Sequence, residues 1–251
     1  MPNLVTALHG AVDRGELAAW FQPQVDLRSG RIVAAEALCR WTHPEFGNVP
    51  PTVFIPLAEE NGLIDEIGEF MLEQGCLAAA EWANRDHRVE VSVNVSPAQL
   101  VTSAFTDHLA EQLKSLELPP RSLTVEITES LVIQDMPRVV QRLDELRSLG
   151  LGVALDDFGV GQASLAQLDR LHATELKIDR SLVADDSEET SILLHGVVQK
   201  VHAAGLRVVA EGIETAAQLE RVRALDCDRA QGYLLAMPLP KPRISELLLT
   251  A

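Results

Sequence analysis

Glu36 in AAEAL, Asn94 in VSVNVS, Glu126 in TVEIT, Asp156 and Asp157 in ALDDF, Lys177 and Asp179 in LKID, Glu211 in VVAEG and Gln231 in AQGY share one placement. Each is a polar group near the C-terminal end of an apolar run. An ionised side chain buried in such a run costs several kcal/mol unless it is paired or bound to a metal. A single acid there reads most simply as a helix cap or a partner for a nearby base. Gathered at one place, these acids would repel one another, with Lys177 alone among them carrying the opposite charge. Divalent cations are the natural remedy. The donor atoms are carboxylate and amide oxygens, which suit Mg²⁺ or Mn²⁺; no cysteine belongs to the set, and none of the seven histidines sits at a comparable run end. Adjacent Asp156 and Asp157 point to two ions, one carboxylate bridging both while its neighbour binds only the second. Two ions about 3.5–4 Å apart are the usual arrangement for phosphodiester hydrolysis. Lys177 could orient the attacking water or stabilise charge on the phosphoryl group, or serve only as counter-charge; one lysine does not distinguish these roles. Arg40 lies four residues beyond Glu36, on the same face by strand parity, and could hold a phosphate bidentately or sit in an ordinary ion pair. The segment after Asp157, FGVGQASL, reads as a flexible loop over the site and lacks the third glycine of a dinucleotide fingerprint.

The elements that must position these groups are apolar runs of strand length at 18–27, 31–41, 88–96, 122–129, 151–158, 173–179, 206–213 and 230–236. Several are nearly continuous in Val, Ile, Leu and Ala, as in strands buried on both faces of a parallel sheet. Segments 63–85, 136–150, 187–205 and 215–226 carry apolar residues at three-and-four spacing and are expected to be helices. Gly150 and Gly205 stand where a helix hands over to the next strand. Asp185–Glu189 reads as a solvated helix entrance, where acids suit the dipole. This alternation predicts an α/β fold, a modified (β/α)8 TIM-like barrel. Only LRSG separates the first two strands, too short for a crossover helix, so they should form a hairpin with one antiparallel strand near the N-terminus. A barrel brings every strand end to one mouth, where the polar groups would meet.

Composition bounds the function. Against 21 Lys and Arg stand 37 Asp and Glu, a net charge of −16, which repels phosphate backbones and argues against a DNA or RNA polymer as partner. A small anionic ligand held through metal ions remains compatible. Cys39, Cys76 and Cys227 lie far apart without zinc spacing and are expected to be buried thiols in a reducing compartment. The first residues, MPNLVTALHGAVDRGEL, do not form a secretory signal, and no apolar run has membrane-spanning length. The expectation is one domain over 1–251, soluble and cytoplasmic, with no membrane segment.

The ordered motifs EALCRW (36–41), FIPLAEENGLI (54–64), VSVNVSPAQL (91–100), VEITES (125–130), LDDFGVGQASL (155–165), LKIDRSLV (176–183) and VVAEGIET (208–215) resemble those of the EAL-domain family. The likeness runs from FQPQ (21–24) to QGYLLAMPLP (231–240). That bacterial family hydrolyses cyclic di-GMP to the linear dinucleotide pGpG in second-messenger signalling. The resemblance implies that Glu36, Asn94, Glu126 and Asp156 hold one Mg²⁺ or Mn²⁺ and that Asp156 and Asp157 help to hold a second. Lys177 and Glu211 would position the attacking water. Gln24, Leu38, Arg40, Asp179 and Gln231 fall where the family lines its substrate pocket, and Glu129 matches the acid that anchors the loop after the Asp pair. The family often dimerises near that loop, so the resemblance implies a homodimer. The chain departs from the family at Val160, usually Thr, at Gln162, usually aromatic, at Ala163, usually Ser, and at Met237, where a basic residue is common. No ligand is lost. The altered loop favours an alternative reading, a cyclic di-GMP receptor of the same fold with weak or no catalysis. An unrelated (β/α)8 metal enzyme such as an enolase-type lyase is a further alternative, separable by its inability to act on a cyclic dinucleotide.

Overall fold

The structure is a computed structural model that describes residues 3–83, 88–100, 103–128, 136–159, 168 and 171–250. A short helix α1 (Leu4–Leu8) leads into β1 (Leu17–Asp26), which turns back on β2 (Ile32–His43). The chain continues through β3 (Gly47–Val49), α2 (Pro51–Glu60), α3 (Ile64–Ala83), β4 (Glu90–Asn94), α4 (Pro97–Leu100), α5 (Ser103–Ser115), β5 (Leu123–Thr128) and α6 (Met136–Ser148). Then come β6 (Gly152–Phe158), β7 (Glu175–Ile178), α7 (Arg180–Ala184), α8 (Glu188–Ala203), β8 (Arg207–Ala210), α9 (Ala216–Ala224), β9 (Arg229–Ala230), β10 (Leu239–Pro240) and α10 (Lys241–Thr250).

Eight strands close a barrel in the order β1-β2-β4-β5-β6-β7-β8-β9, with β9 pairing back to β1. β1 runs antiparallel to both β2 and β9, while the remaining barrel pairs are parallel. The expected reversed strand is therefore β1. The expected helices at 63–85, 136–150, 187–205 and 215–226 form as α3, α6, α8 and α9. α3 buries Ile67, Met71, Cys76, Ala79 and Trp82 at helical spacing, and Trp82 meets Phe21 of β1 edge to face at 5.2 Å between ring centroids. At the entrance of α8 the Ser187 side chain accepts from the Thr190 amide, and Asp185 accepts from the Thr190 hydroxyl at 2.6 Å. Gly150 and Gly205 adopt positive φ of 89° and 75° after α6 and α8.

Several elements lie outside the expected pattern, and three of them are instructive. α2 was not among the expected helices because its prolines disguise it; Pro51 fits the first turn, and the helix carries Pro56 inside. α5 also lies outside the expected set, although Leu109 and Phe105 are buried four residues apart. The run expected as a strand at 230–236 is strand only at its start, in β9, and the chain then turns past Gly232. A Cβ at Gly232 would stand 2.1 Å from the Ile213 amide nitrogen, so this close crossing requires glycine.

Charges fill the lower barrel. Arg207 hydrogen-bonds Glu90 at 3.0 Å and forms an ion pair with Glu175 at 3.1 Å, and Arg229 hydrogen-bonds Glu90 at 2.9 Å. Glu175 and Arg229 are buried. The network ties β4, β7, β8 and β9 together beneath the mouth. Glu175→Gln should destabilise the fold by about 2 kcal/mol, because it removes the buried carboxylate charge that two guanidiniums pair with. Chemical denaturation checks this, and an unchanged midpoint would show the network to be energetically idle.

Candidate active site

The mouth is built layer by layer from strand parity. Gln22 of β1 faces Glu36 of β2, and Glu36 in turn stands beside Ser92 of β4 in the parallel register. Asn94 at the end of β4 lies beside Glu126 of β5. Between Leu155 and Phe158 the register of β6 against β7 shifts, and Asp157 adopts a left-handed φ of 59°. That irregularity lets two consecutive acids serve one site: Asp156 is buried among the carboxylates, and Asp157 lines the cavity above. Glu211 follows the last residue of β8, and Gly212 after it takes a φ of 66° where a Cβ would stand 2.3 Å from Arg180.

Lys177 is fully buried at the centre. Its Nζ lies 2.7 Å from Glu211 Oε1, 2.8 Å from Glu126 Oε2, 3.3 Å from Asp156 Oδ1 and 3.4 Å from Glu36 Oε2. Asn94 Nδ2 donates to Glu36 Oε1 at 2.8 Å, and Gln231 Nε2 donates to Glu36 Oε2 at 2.6 Å. Gln231 Nε2 also reaches Gln22 Oε1 at 3.2 Å. Glu36, Glu126 and Asp156 each present an oxygen within 4.8 Å of the others, a group that could hold a metal ion. Glu126 Oε1 is buried without a hydrogen-bond partner among the described residues. A buried carboxylate oxygen left orphaned is costly, and a cation is the partner this donor set suits.

The electrostatics tell the same story. Burial pushes the Glu126 carboxyl well above the ordinary value, with Glu36 adding to it, and burial likewise raises Asp156. Asp157 rises through burial and the neighbouring Asp156 charge. Burial pushes Glu211 up to about 8 despite Lys177 beside it. Glu36 is the exception: burial would raise it, but Lys177, Gln231 and Asn94 outweigh burial and hold it below the ordinary value. Lys177 is opposed by burial yet held well above its ordinary value by Asp156, Glu126, Glu211 and Glu36. One lysine thus leaves the cluster short of positive charge.

A pH dependence follows for the metal-free protein. Glu211 holds its proton up to about 8 in the fold against an ordinary 4.5, and Glu126, Asp156 and Asp157 shift in the same direction. The folded state therefore binds more protons than the unfolded one, so this stabilisation is complete below about pH 4.5 and is lost as pH rises toward 8. The melting temperature in EDTA should fall across that window, and saturating Mn²⁺ should flatten the fall. A melting temperature that climbs with pH over this range in EDTA would contradict the charge assignment.

Of the other expected site residues, Leu38, Arg40, Asn94 and Asp157 line a cavity of about 450 Å³ that opens between the mouth and helices α2 and α3. Arg40 has no ion pair among the described residues; its Nη1 donates to the Cys39 carbonyl at 3.0 Å. Asp179 caps α7, accepting from the Ser181 amide at 2.8 Å. Gln24 is more fully buried than Gln22, with its Nε2 unpartnered among the described residues. Glu129, Val160, Gln162 and Ala163 lie outside the described residues. Gln22 was missed by the sequence reading, although its parity with Gln24 in FQPQ was the available signal.

The EAL domain family model matches residues 5–238. The chain belongs to the EAL domain family. The bifunctional diguanylate cyclase/cyclic di-GMP phosphodiesterase MucR of Pseudomonas aeruginosa is 37% identical over 246 residues, covering 96% of this chain and 36% of MucR. The oxygen sensor protein DosP of Escherichia coli is 37% identical over 244 residues, covering 96% of this chain and 30% of DosP. This EAL domain chain thus spans about a third of the length of these relatives. The solved PaMucR phosphodiesterase in complex with c-di-GMP matches with a TM-score of 0.90 at 36% identity, covering 96% of this chain and 99% of that one. The FimX EAL domain from Pseudomonas aeruginosa bound to c-di-GMP matches with a TM-score of 0.85 at 26% identity, covering 95% and 97% of the two chains. The barrel of this EAL domain is therefore the fold of its family. Among its described residues no helix is long and apolar enough to cross a membrane. Cys39, Cys76 and Cys227 are free and buried, and burial pushes each thiol up to about 12.

Proposed function

We propose that this EAL domain, one unit over the whole chain, hydrolyses one phosphodiester bond of cyclic di-GMP to give linear pGpG with the help of two Mg²⁺ or Mn²⁺ ions. The observation that carries the reading is the buried Glu36–Glu126–Asp156 group, with one Glu126 oxygen orphaned among the described residues, next to Asn94 and Asp157, which line an open cavity. Glu36, Asn94, Glu126 and Asp156 would hold one ion; Asn94 spends its Nδ2 on Glu36 and so keeps its carbonyl oxygen for a cation. Asp156 and Asp157 would help to hold the second. Such ions, when bound, lower the pKa of a water and stabilise charge on phosphoryl oxygens. Lys177 fixes Glu211 at 2.7 Å, and the two position the attacking water. Without metal, Glu211 keeps its proton up to about 8; beside bound cations that value would fall, freeing its carboxylate to accept a proton near neutral pH. Arg40, free of ion pairing among the described residues, offers its guanidinium to a substrate phosphate, while Gln24, Leu38, Asp179 and Gln231 complete the pocket. Gln231 acts there through its bond to Glu36. Glu129 anchors the loop after Asp157, and the protein works as a homodimer in the cytoplasm, a reducing compartment that suits its three thiols.

The test is incubation of the purified chain with cyclic di-GMP and Mg²⁺ or Mn²⁺, followed by chromatography for the linear product. Product formation is expected. Tight binding without product would favour the receptor reading, and neither binding nor product would overturn both.

A further inference from the structure

Trp20 carries an inference that rests on, and sharpens, the function proposed above. The β1–β2 register pairs Gln22 with Glu36, Trp20 with Leu38 and Ala18 with Arg40. Directly opposed residues of an antiparallel pair share a face, and positions two apart keep it. Because Glu36 and Gln22 face the barrel interior, Trp20, Leu38 and Arg40 continue the same wall upward above the carboxylates. Trp20 is the only tryptophan of the three with substantial exposure, 36% against 1% for Trp41 and 0% for Trp82. The Arg40 guanidinium carbon lies 5.8 Å from the Trp20 ring centroid, within cation–π range. The same guanidinium donates to the Cys39 carbonyl at 3.0 Å, so ring and carbonyl hold it together. Arg40 and Leu38 line the cavity that opens over Asn94 and Asp157.

We propose that Trp20 is a positioning residue: its ring fixes the Arg40 guanidinium at the cavity wall so that it meets a phosphate of the cyclic dinucleotide without first losing side-chain freedom. A long arginine free at the rim would have to be ordered on binding, which weakens affinity. The aromatic face removes that cost. The ring serves this purpose through its π-electrons, not its bulk, so an aromatic replacement should serve and an aliphatic one should not.

Calorimetric titration with cyclic di-GMP in Ca²⁺, which is expected to bind yet support little hydrolysis, reads affinity apart from turnover. Trp20→Leu should weaken binding about two- to fivefold, the size expected of an exposed cation–π contact. Trp20→Phe should stay within about twofold of wild type by the same reasoning. In an Arg40→Ala background, Trp20→Leu should add no further loss. With Mn²⁺, Trp20→Leu should raise KM and leave kcat unchanged. The inference is overturned if Trp20→Leu binds as wild type, if Phe fails as Leu does, or if the losses of Trp20→Leu and Arg40→Ala multiply in the double variant. Multiplied losses would mean that Trp20 touches the ligand itself. Absence of any wild-type binding would instead overturn the proposed function, and this inference with it.

Discussion

Lys177→Met is expected to cut turnover by at least about a hundredfold, the scale of removing a positioned proton-transfer or charge-stabilising group. It should also destabilise the metal-free protein by about 3–5 kcal/mol, because removing one partner of a buried ion pair strands the others. Four carboxylates lie within 3.4 Å of Nζ and share its single positive charge. Without the lysine they must share protons or repel, so folding in EDTA should suffer most at high pH. Saturating Mn²⁺ should recover much of the melting temperature, since a divalent cation answers the same charge. It should not recover turnover, and that split separates the two roles open to Lys177. A mere counter-charge would be replaceable by metal; a group that positions water would not. Full turnover of Lys177→Met in excess Mn²⁺ would reduce Lys177 to charge balance.

Glu36→Gln is expected to lower Mn²⁺ affinity by about a hundredfold or more and kcat/KM by about 10²–10³-fold. The replacement keeps the shape but not the chemistry. Asn94 Nδ2 and Gln231 Nε2 each donate to one Glu36 oxygen, so a Gln amide would aim a donor at a donor on one side. Either Asn94 or Gln231 must then turn away, and the ion loses a charge and an ordered neighbour together. Arg40→Ala should behave oppositely, raising KM with Mn²⁺ affinity intact. Calorimetric Mn²⁺ titration of both variants checks the pair of outcomes; normal Mn²⁺ binding by Glu36→Gln would remove Glu36 from the proposed ligands.

The mouth was legible because acids inside Val- and Ile-rich runs have few innocent explanations. Glu126 in TVEIT and Lys177 in LKID stand out locally, and the barrel supplies the meeting point. The lower network was not legible. Glu90, Glu175, Arg207 and Arg229 sit at strand beginnings, where charges ordinarily face solvent, and their pairing across the barrel depends on register between distant strands. Trp20 was passed over for a related reason: only the pairing with Leu38 shows that it stands on the wall above Glu36. The hairpin came from a loop too short for any other connection. α2 stayed hidden because a helix containing Pro56 contradicts the local signal, and tertiary packing of Phe54 and Ala58 overrides it. The left-handed turn at Asp157 has no sequence signature, since the residue is not glycine. Yet it is what gives adjacent acids separate places at the mouth.

One measurement bears most directly on the claim that this cluster works through divalent cations. The purified chain is stripped with EDTA, freed of the chelator, mixed with cyclic di-GMP, and titrated with Mn²⁺ while pGpG is followed by chromatography. The account predicts no product before Mn²⁺ is added and a rate that rises with Mn²⁺ to a plateau. Undiminished hydrolysis by the stripped protein, or none at any Mn²⁺ concentration, would contradict it.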